Sequence, residues 1–132
     1  MGAQAEQLKQ RTKEFAVRVV RVVEALPRKP SASVIGRQVL RSATSVAANY
    51  RAACRSRSRD EFVAKLGIVI EEADETTFWL EMLVDTGLVP PKRMAQLIDE
   101  ANQLVAIFTA SKRTAEAAKS AIDNRQSEMV LP

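Results

Sequence analysis

The sequence predicts an all-α protein, an antiparallel up-down-up-down four-helix bundle. Three observations carry that expectation. Apolar residues recur at i, i+3, i+4 and i+7 in four separate runs, the spacing that gathers them on one face of a helix. Glycine and proline are scarce, at four and five residues in 132, and Pro27, Pro30, Pro90, Pro91 and Gly87 fall between the runs. No run alternates apolar and polar residues as a half-buried strand would. Connections of a few residues make successive helices antiparallel neighbours.

The first helix is expected over about 3–26, with Leu8, Phe15, Val19, Val22 and Leu26 on one stripe. Pro27 and Pro30 end it, since proline lacks the amide donor and clashes with the turn before it. The second spans about 31–55, with Ser31 or Ser33 as N-cap and a stripe of Ile35, Val39, Ala43, Val46, Tyr50 and Ala53. The third covers about 59–86. Ser58-Arg59-Asp60-Glu61 is a capping box, in which the serine oxygen meets the third amide and the glutamate reaches back. Its inward stripe is Phe62, Leu66, Val69, Ala73, Thr76, Leu80 and Leu83, and Gly87 is the natural left-handed stop. The fourth spans about 91–119, entered through Pro90-Pro91, with Met94, Leu97, Ala101, Leu104, Val105 and Phe108 inward. Residues 1–119 thus form one bundle domain, and the weakly patterned 120–132 is expected to be a frayed tail.

Charge divides the chain sharply. Eight basic residues and no acidic ones lie between Ala25 and Arg59, whereas Asp60 to Asp85 holds eight acidic residues and one basic, Lys65. On the second helix Arg37, Arg41, Arg51 and Arg55 fall within a narrow arc opposite the core stripe, with the small Thr44 and Ala48 between them. Arg57 and Arg59 carry the charge into the following turn. Arginine's planar fork matches phosphate and carboxylate alike, so two readings stand side by side. Either the arginines contact nucleic-acid phosphates, or they pair with Glu71, Glu72, Asp74 and Glu75 within or between subunits. The net charge of +4 and a pI near 9.6 fit the first reading without requiring it. Aromatic residues do not interleave with the arginines, so contact to the backbone of RNA or DNA is expected rather than base stacking.

The third helix has more apolar surface than a single core uses. Ile68 and Trp79 fall to one side of its inward stripe, close to Glu72, and Phe78 and Met82 fall near its back, bordered by Glu71 and Glu75. A helix apolar on both faces buries both. A homo-oligomer whose interface includes Ile68, Glu72, Glu75, Phe78, Trp79 and Met82 is therefore expected.

Enzyme chemistry finds no support. The chain has no histidine, so the commonest general base and the Glu-x-x-His ligands of di-iron bundles are missing. It has no glycine-rich phosphate loop and no nucleophile elbow. The acidic residues at 71, 72, 74 and 75 read as a solvated or salt-bridged face. No catalytic residue, cofactor or metal is expected. Cys54, the single cysteine, rules out an internal disulfide and suits a reducing compartment. With no signal-peptide pattern and no apolar run near ~20 residues, the cytoplasm is the expected location.

The segments LRSATSVAANY (40–50), SRSRDEF (56–62) and EEADETTFWLE (71–81) resemble the bacterial four-helix-bundle family named for the protein encoded in 23S ribosomal RNA intervening sequences. The order of elements fits over roughly residues 8 to 115, although many relatives carry glycine where this chain has Ala47. The resemblance implies a ring of five subunits. Cousins that are accessory proteins of diversity-generating retroelements bind a reverse transcriptase and nucleic acid, so by analogy a reverse transcriptase is an implied partner. Most members have no established biochemical activity.

Overall fold

The computed structural model describes residues 2–130, and side chains over 2–126. The described residues form four helices: α1 (Gly2–Glu24), α2 (Pro30–Ala53), α3 (Arg59–Asp85) and α4 (Pro91–Val130). There is no strand among them.

The core is made of the expected stripes. All six predicted inward residues of α2 are buried, as are Leu66, Val69, Ala73, Thr76, Leu80 and Leu83 of α3 and Met94, Leu97, Ala101, Leu104 and Phe108 of α4. Phe15, Val19, Val39, Leu66, Leu80 and Leu104 are almost wholly sealed from water. Each contributes on the order of 1.5–3 kcal/mol by leaving it. Val22, Leu26, Phe62 and Val105 are only half-buried, packed at the edges of this core. Tyr50 stacks on Phe108 in a tilted pair with ring centroids 5.0 Å apart. The Tyr50 hydroxyl is pushed well above the ordinary tyrosine range, first by burial and then by its interaction with the Cys54 thiol, so it stays neutral.

Polar contacts also cross the helices. Arg11 of α1 grips Glu100 of α4 through Nε and Nη2, both at 2.7 Å, and reaches Gln103 at 2.8 Å. The hydrogen bond to Glu100 raises the guanidinium pKa further. Inside the core, Thr76 Oγ1 lies 2.8 Å from Ser42 Oγ and 2.7 Å from the carbonyl of Glu72. Ser42 Oγ lies 3.2 Å from the carbonyl of Val39. Two hydroxyl protons serve these contacts. The shortest set has Thr76 donating to Glu72 and Ser42 donating to Thr76, which satisfies both hydroxyls without water.

The helix ends follow local chemistry, with two departures from expectation. Ser58 accepts from the Glu61 amide at 3.1 Å, and Glu61 reaches back to the amide of Arg57 at 3.3 Å. Gly87, at φ +74, closes α3 in a Schellman motif: its amide meets Val84 and that of Leu88 meets Leu83. The N-cap of α2, however, is Lys29, not Ser31 or Ser33, with no side-chain cap. Pro30 takes the first helical position, where its fixed φ suits the helix and no amide is missed, so both serines fall inside. The second departure is that α4 does not stop at Lys119 but continues to Val130, over most of the segment expected to fray. Nothing between Pro91 and Pro132 is a glycine or proline, and a helix once nucleated adds residues cheaply. Residues 119–126 are exposed along that extension. Leu131 and Pro132, also assigned to the tail, lie outside the described residues.

Close packing is visible at Gly36, where an added Cβ would stand 3.1 Å from Leu26 and 3.3 Å from Val23. The end of α1 therefore rests against the backbone of α2. No helix among the described residues is long and apolar enough to cross a membrane.

Candidate nucleic-acid interface

The outer face of α2 is built by exclusion. Its inward residues occupy the core, so the arginines spaced around the other side are driven outward. Arg37, Arg41, Arg51, Arg55, Arg57 and Arg59 are all exposed. Their surroundings differ. Arg41 is clasped within the protomer, with Nη1 3.0 Å from Glu72 and Nη2 in contact with Glu75. Arg37 donates to Ser33 Oγ at 3.2 Å. Among the described residues, Arg51, Arg55, Arg57 and Arg59 have no carboxylate within salt-bridge distance.

Arg51 and Arg55 flank a notch of about 360 Å³ whose floor is Ala48 and Ala52 and whose far side is Lys65 of α3. Two alanines let an incoming group approach the helix backbone, and three cations surround it. Lys65 was not singled out in the sequence, where it is the lone base in an acidic helix. Its ion pair with Glu61 at 3.1 Å, one turn away, was legible from the i,i+4 spacing. That pairing, and then the Arg57 amide, hold the Glu61 carboxyl below its usual range. Asp60 is likewise bridged by Lys119 at 2.7 Å, which raises the lysine pKa. The acids at the start of α3 are thus matched by lysines, and the neighbouring arginines keep their charge.

The predicted interface residues of α3 divide in the same way. Glu72 and Glu75 are taken up by Arg41. Ile68 and Phe78 are exposed, at 46% and 52%. Trp79 and Met82 are half-buried against the core. Phe78 and Trp79 meet edge to face with centroids 4.9 Å apart. The indole N–H of Trp79 is sealed from water and has no acceptor in the protomer. Among the described residues, no group of three or more Cys, Asp or Glu side chains could hold a metal ion.

The sequence matches the model of the 23S rRNA-intervening sequence protein family over residues 5–110. The chain belongs to that family. A crystal structure of a protein with unknown function from the S23 ribosomal protein family of Bacteroides thetaiotaomicron is similar to it, with a TM-score of 0.77 and 31% sequence identity. The similarity covers 83% of this chain and 97% of that one. No match was found among curated proteins. In this family member, the sequence run that carries the resemblance, residues 40–81, is also the run that contains both the free arginines and the Arg41 clamp.

Proposed function

We propose that this family member is a non-enzymatic, cytoplasmic homo-oligomer that binds the backbone of RNA or DNA through the basic surface of α2. The observation that carries the reading is the set of four exposed arginines, Arg51, Arg55, Arg57 and Arg59, unneutralised by carboxylates in the protomer. Each phosphate contact releases condensed counterions, so binding of this kind weakens steeply with salt. The Ala48 and Ala52 floor between Arg51, Arg55 and Lys65 gives a phosphate room to sit close to the helix.

The assembly is read as an antiparallel bundle in a ring, five subunits by family resemblance. Pairings such as Lys119 with Asp60 and Lys112 beside Gly67 support the up-down packing of α3 and α4. Exposed Ile68 and Phe78, and a Trp79 indole N–H with no acceptor, support a further protein surface over the back of α3. A reverse transcriptase stays a candidate partner by analogy alone. The deciding experiment is fluorescence anisotropy with structured RNA and with duplex DNA across a salt series. Tight binding at low salt that falls steeply with added salt is expected, and no binding at low salt, or a flat response, refutes the reading.

A second reading has its own observation. The Arg41–Glu72–Glu75 clamp shows how a basic arc and an acidic helix satisfy one another. If the remaining arginines meet carboxylates of neighbouring subunits, the protein is an interaction scaffold. Arg51→Ala or Arg37→Ala then dissociates the oligomer in light scattering while Lys92→Ala does not.

A further inference from the structure

At the end of the bundle where α2 gives way to α3, the walls part into a groove of about 850 Å³. Small-molecule sites span about 300–1,000 Å³, so it is a full-sized one. The floor and walls are mostly apolar, with Leu8 of α1, Ala53 of α2, Phe62 of α3, and Ile107, Ala110 and Ala118 of α4, interrupted by Gln4, Ser58 and Ser111. Thr114 also lines it, but its hydroxyl is turned back onto the Ala110 carbonyl at 3.0 Å, which leaves its methyl to the cleft.

The groove is charged at one place only. Arg57, in the turn between α2 and α3, and Arg59, the first residue of α3, line it, and neither meets a carboxylate among the described residues. The acids beside them are already matched, Asp60 by Lys119 and Glu61 by Lys65. Ser56, between Cys54 and Arg57 on the same lining, has a buried hydroxyl with no partner. An apolar trough with two uncompensated guanidinium groups at one place is complementary to a molecule with an apolar tail and an anionic head. An arginine fork accepts a carboxylate through two parallel hydrogen bonds.

We infer that this groove binds a single-chain anionic amphiphile, a long-chain carboxylate whose alkyl chain lies between α1 and α4 and whose head meets Arg57 and Arg59. The site shares Arg57 and Arg59 with the proposed nucleic-acid surface but has none of the notch at Arg51 and Arg55. Failure of nucleic-acid binding leaves it standing, and its own failure leaves the α2 surface standing.

The test is isothermal titration of the full-length protein with octanoate, decanoate and dodecanoate, each below its micelle concentration. Saturable binding is expected, tightening about fourfold with each added methylene. Dodecanol, without the charge, binds more weakly than dodecanoate. Arg57→Gln with Arg59→Gln weakens dodecanoate about tenfold or more and leaves dodecanol unchanged. Ala110→Trp fills the trough and abolishes both, with Ala118→Trp as the second variant should the first unfold. Cys54 lines the groove and is the chain's single cysteine, so bound dodecanoate also slows its alkylation by iodoacetamide. Binding that ignores chain length, or that survives both tryptophan variants in folded protein, overturns the inference. So does the absence of binding together with Cys54 shielding that disappears on dilution to the monomer, which gives the groove to a second copy of the chain.

Discussion

The six arginines of the basic run fall into groups that nucleic-acid binding should tell apart. If Arg51, Arg55, Arg57 and Arg59 each neutralise one phosphate of duplex DNA, the logarithm of the binding constant falls with the logarithm of salt at a slope of about −3.6 per subunit. Raising salt from about 50 to about 200 mM then weakens binding roughly 150-fold. Replacing Arg51 and Arg55 with glutamine removes two of the four contacts, so the slope halves to about −1.8 and the same salt step costs only about 12-fold. Arg41→Gln behaves differently. Its guanidinium already faces Glu72 and Glu75, so its loss leaves the slope within error and frees two carboxylates. The assay is anisotropy on a short labelled duplex, with wild type and both variants at four or more salt concentrations and the oligomeric state checked by light scattering. Equal slopes for the wild type and the Arg51/Arg55 variant refute the reasoning. A slope that drops as far in Arg41→Gln as in the double variant refutes the division between clasped and free arginines.

Four further outcomes test the account of the fold and its surfaces. Thr76→Val removes the Ser42–Thr76 hydrogen bond, leaves Ser42 with only the Val39 carbonyl at 3.2 Å, and lowers stability by about 1 kcal/mol, whereas Ser42→Ala with Thr76→Val removes both hydroxyls and costs less than the singles combined; urea unfolding of all four proteins measures that coupling, about 0.5–1 kcal/mol. Gly87→Ala places a side chain at φ +74 and lowers stability by about 1 kcal/mol, or about 4 °C in Tm, read by calorimetry. If the back of α3 is the proposed subunit interface, Phe78→Glu with Ile68→Glu leaves the helical content unchanged and shifts the particle toward monomer in light scattering, since both side chains are exposed in the protomer. Glu61 titrates below its usual range in the folded chain, so its contribution to stability is full above the ordinary glutamate value and is lost as pH falls through the lowered one; Lys65→Met brings the Glu61 titration, followed by NMR, back toward ordinary.

The fold was legible because every helix carries its own evidence. Stripes at helical spacing fixed the faces, and Ser58 and Gly87 marked both ends of α3 with residues whose chemistry has few other uses there. Where two signals competed, the weaker one misled. Ser31 and Ser33 are good caps, but Pro30 already supplied a pre-set first turn, and the cap moved to Lys29. The end of α4 was invisible for a different reason. Residues 119–126 are exposed, so no apolar rhythm marks them, and helix there rests on propensity and on the absence of a breaker. The arc of arginines could be placed from angles alone. Which of them would be neutralised could not, because that depends on how α2 and α3 line up across 31 and 34 residues of sequence. The groove was hidden more thoroughly still, since Leu8, Ala53, Phe62 and Ala110 come from four helices and no local pattern joins them.

The way charge is handled in this protein differs along one seam. In the middle of α2, Arg41 lies over the carboxylates of α3 and is clasped. Toward the end of α2, the residue of α3 beside it changes from Glu72 and Glu75 to Lys65, and the acids near the α3 start are taken by lysines one turn on or from α4. The arginines there meet no carboxylate in the described protomer, and Arg51 and Arg55 bring like charges to one notch, Lys65 beside them being matched by Glu61. Such an arrangement is a cost to folding with no structural return inside the subunit. A phosphate, or a neighbouring subunit's carboxylate, relieves it. The salt series and the oligomer measurements separate those two sources of relief, because a phosphate contact leaves the particle intact when Arg51 is lost and a subunit contact does not.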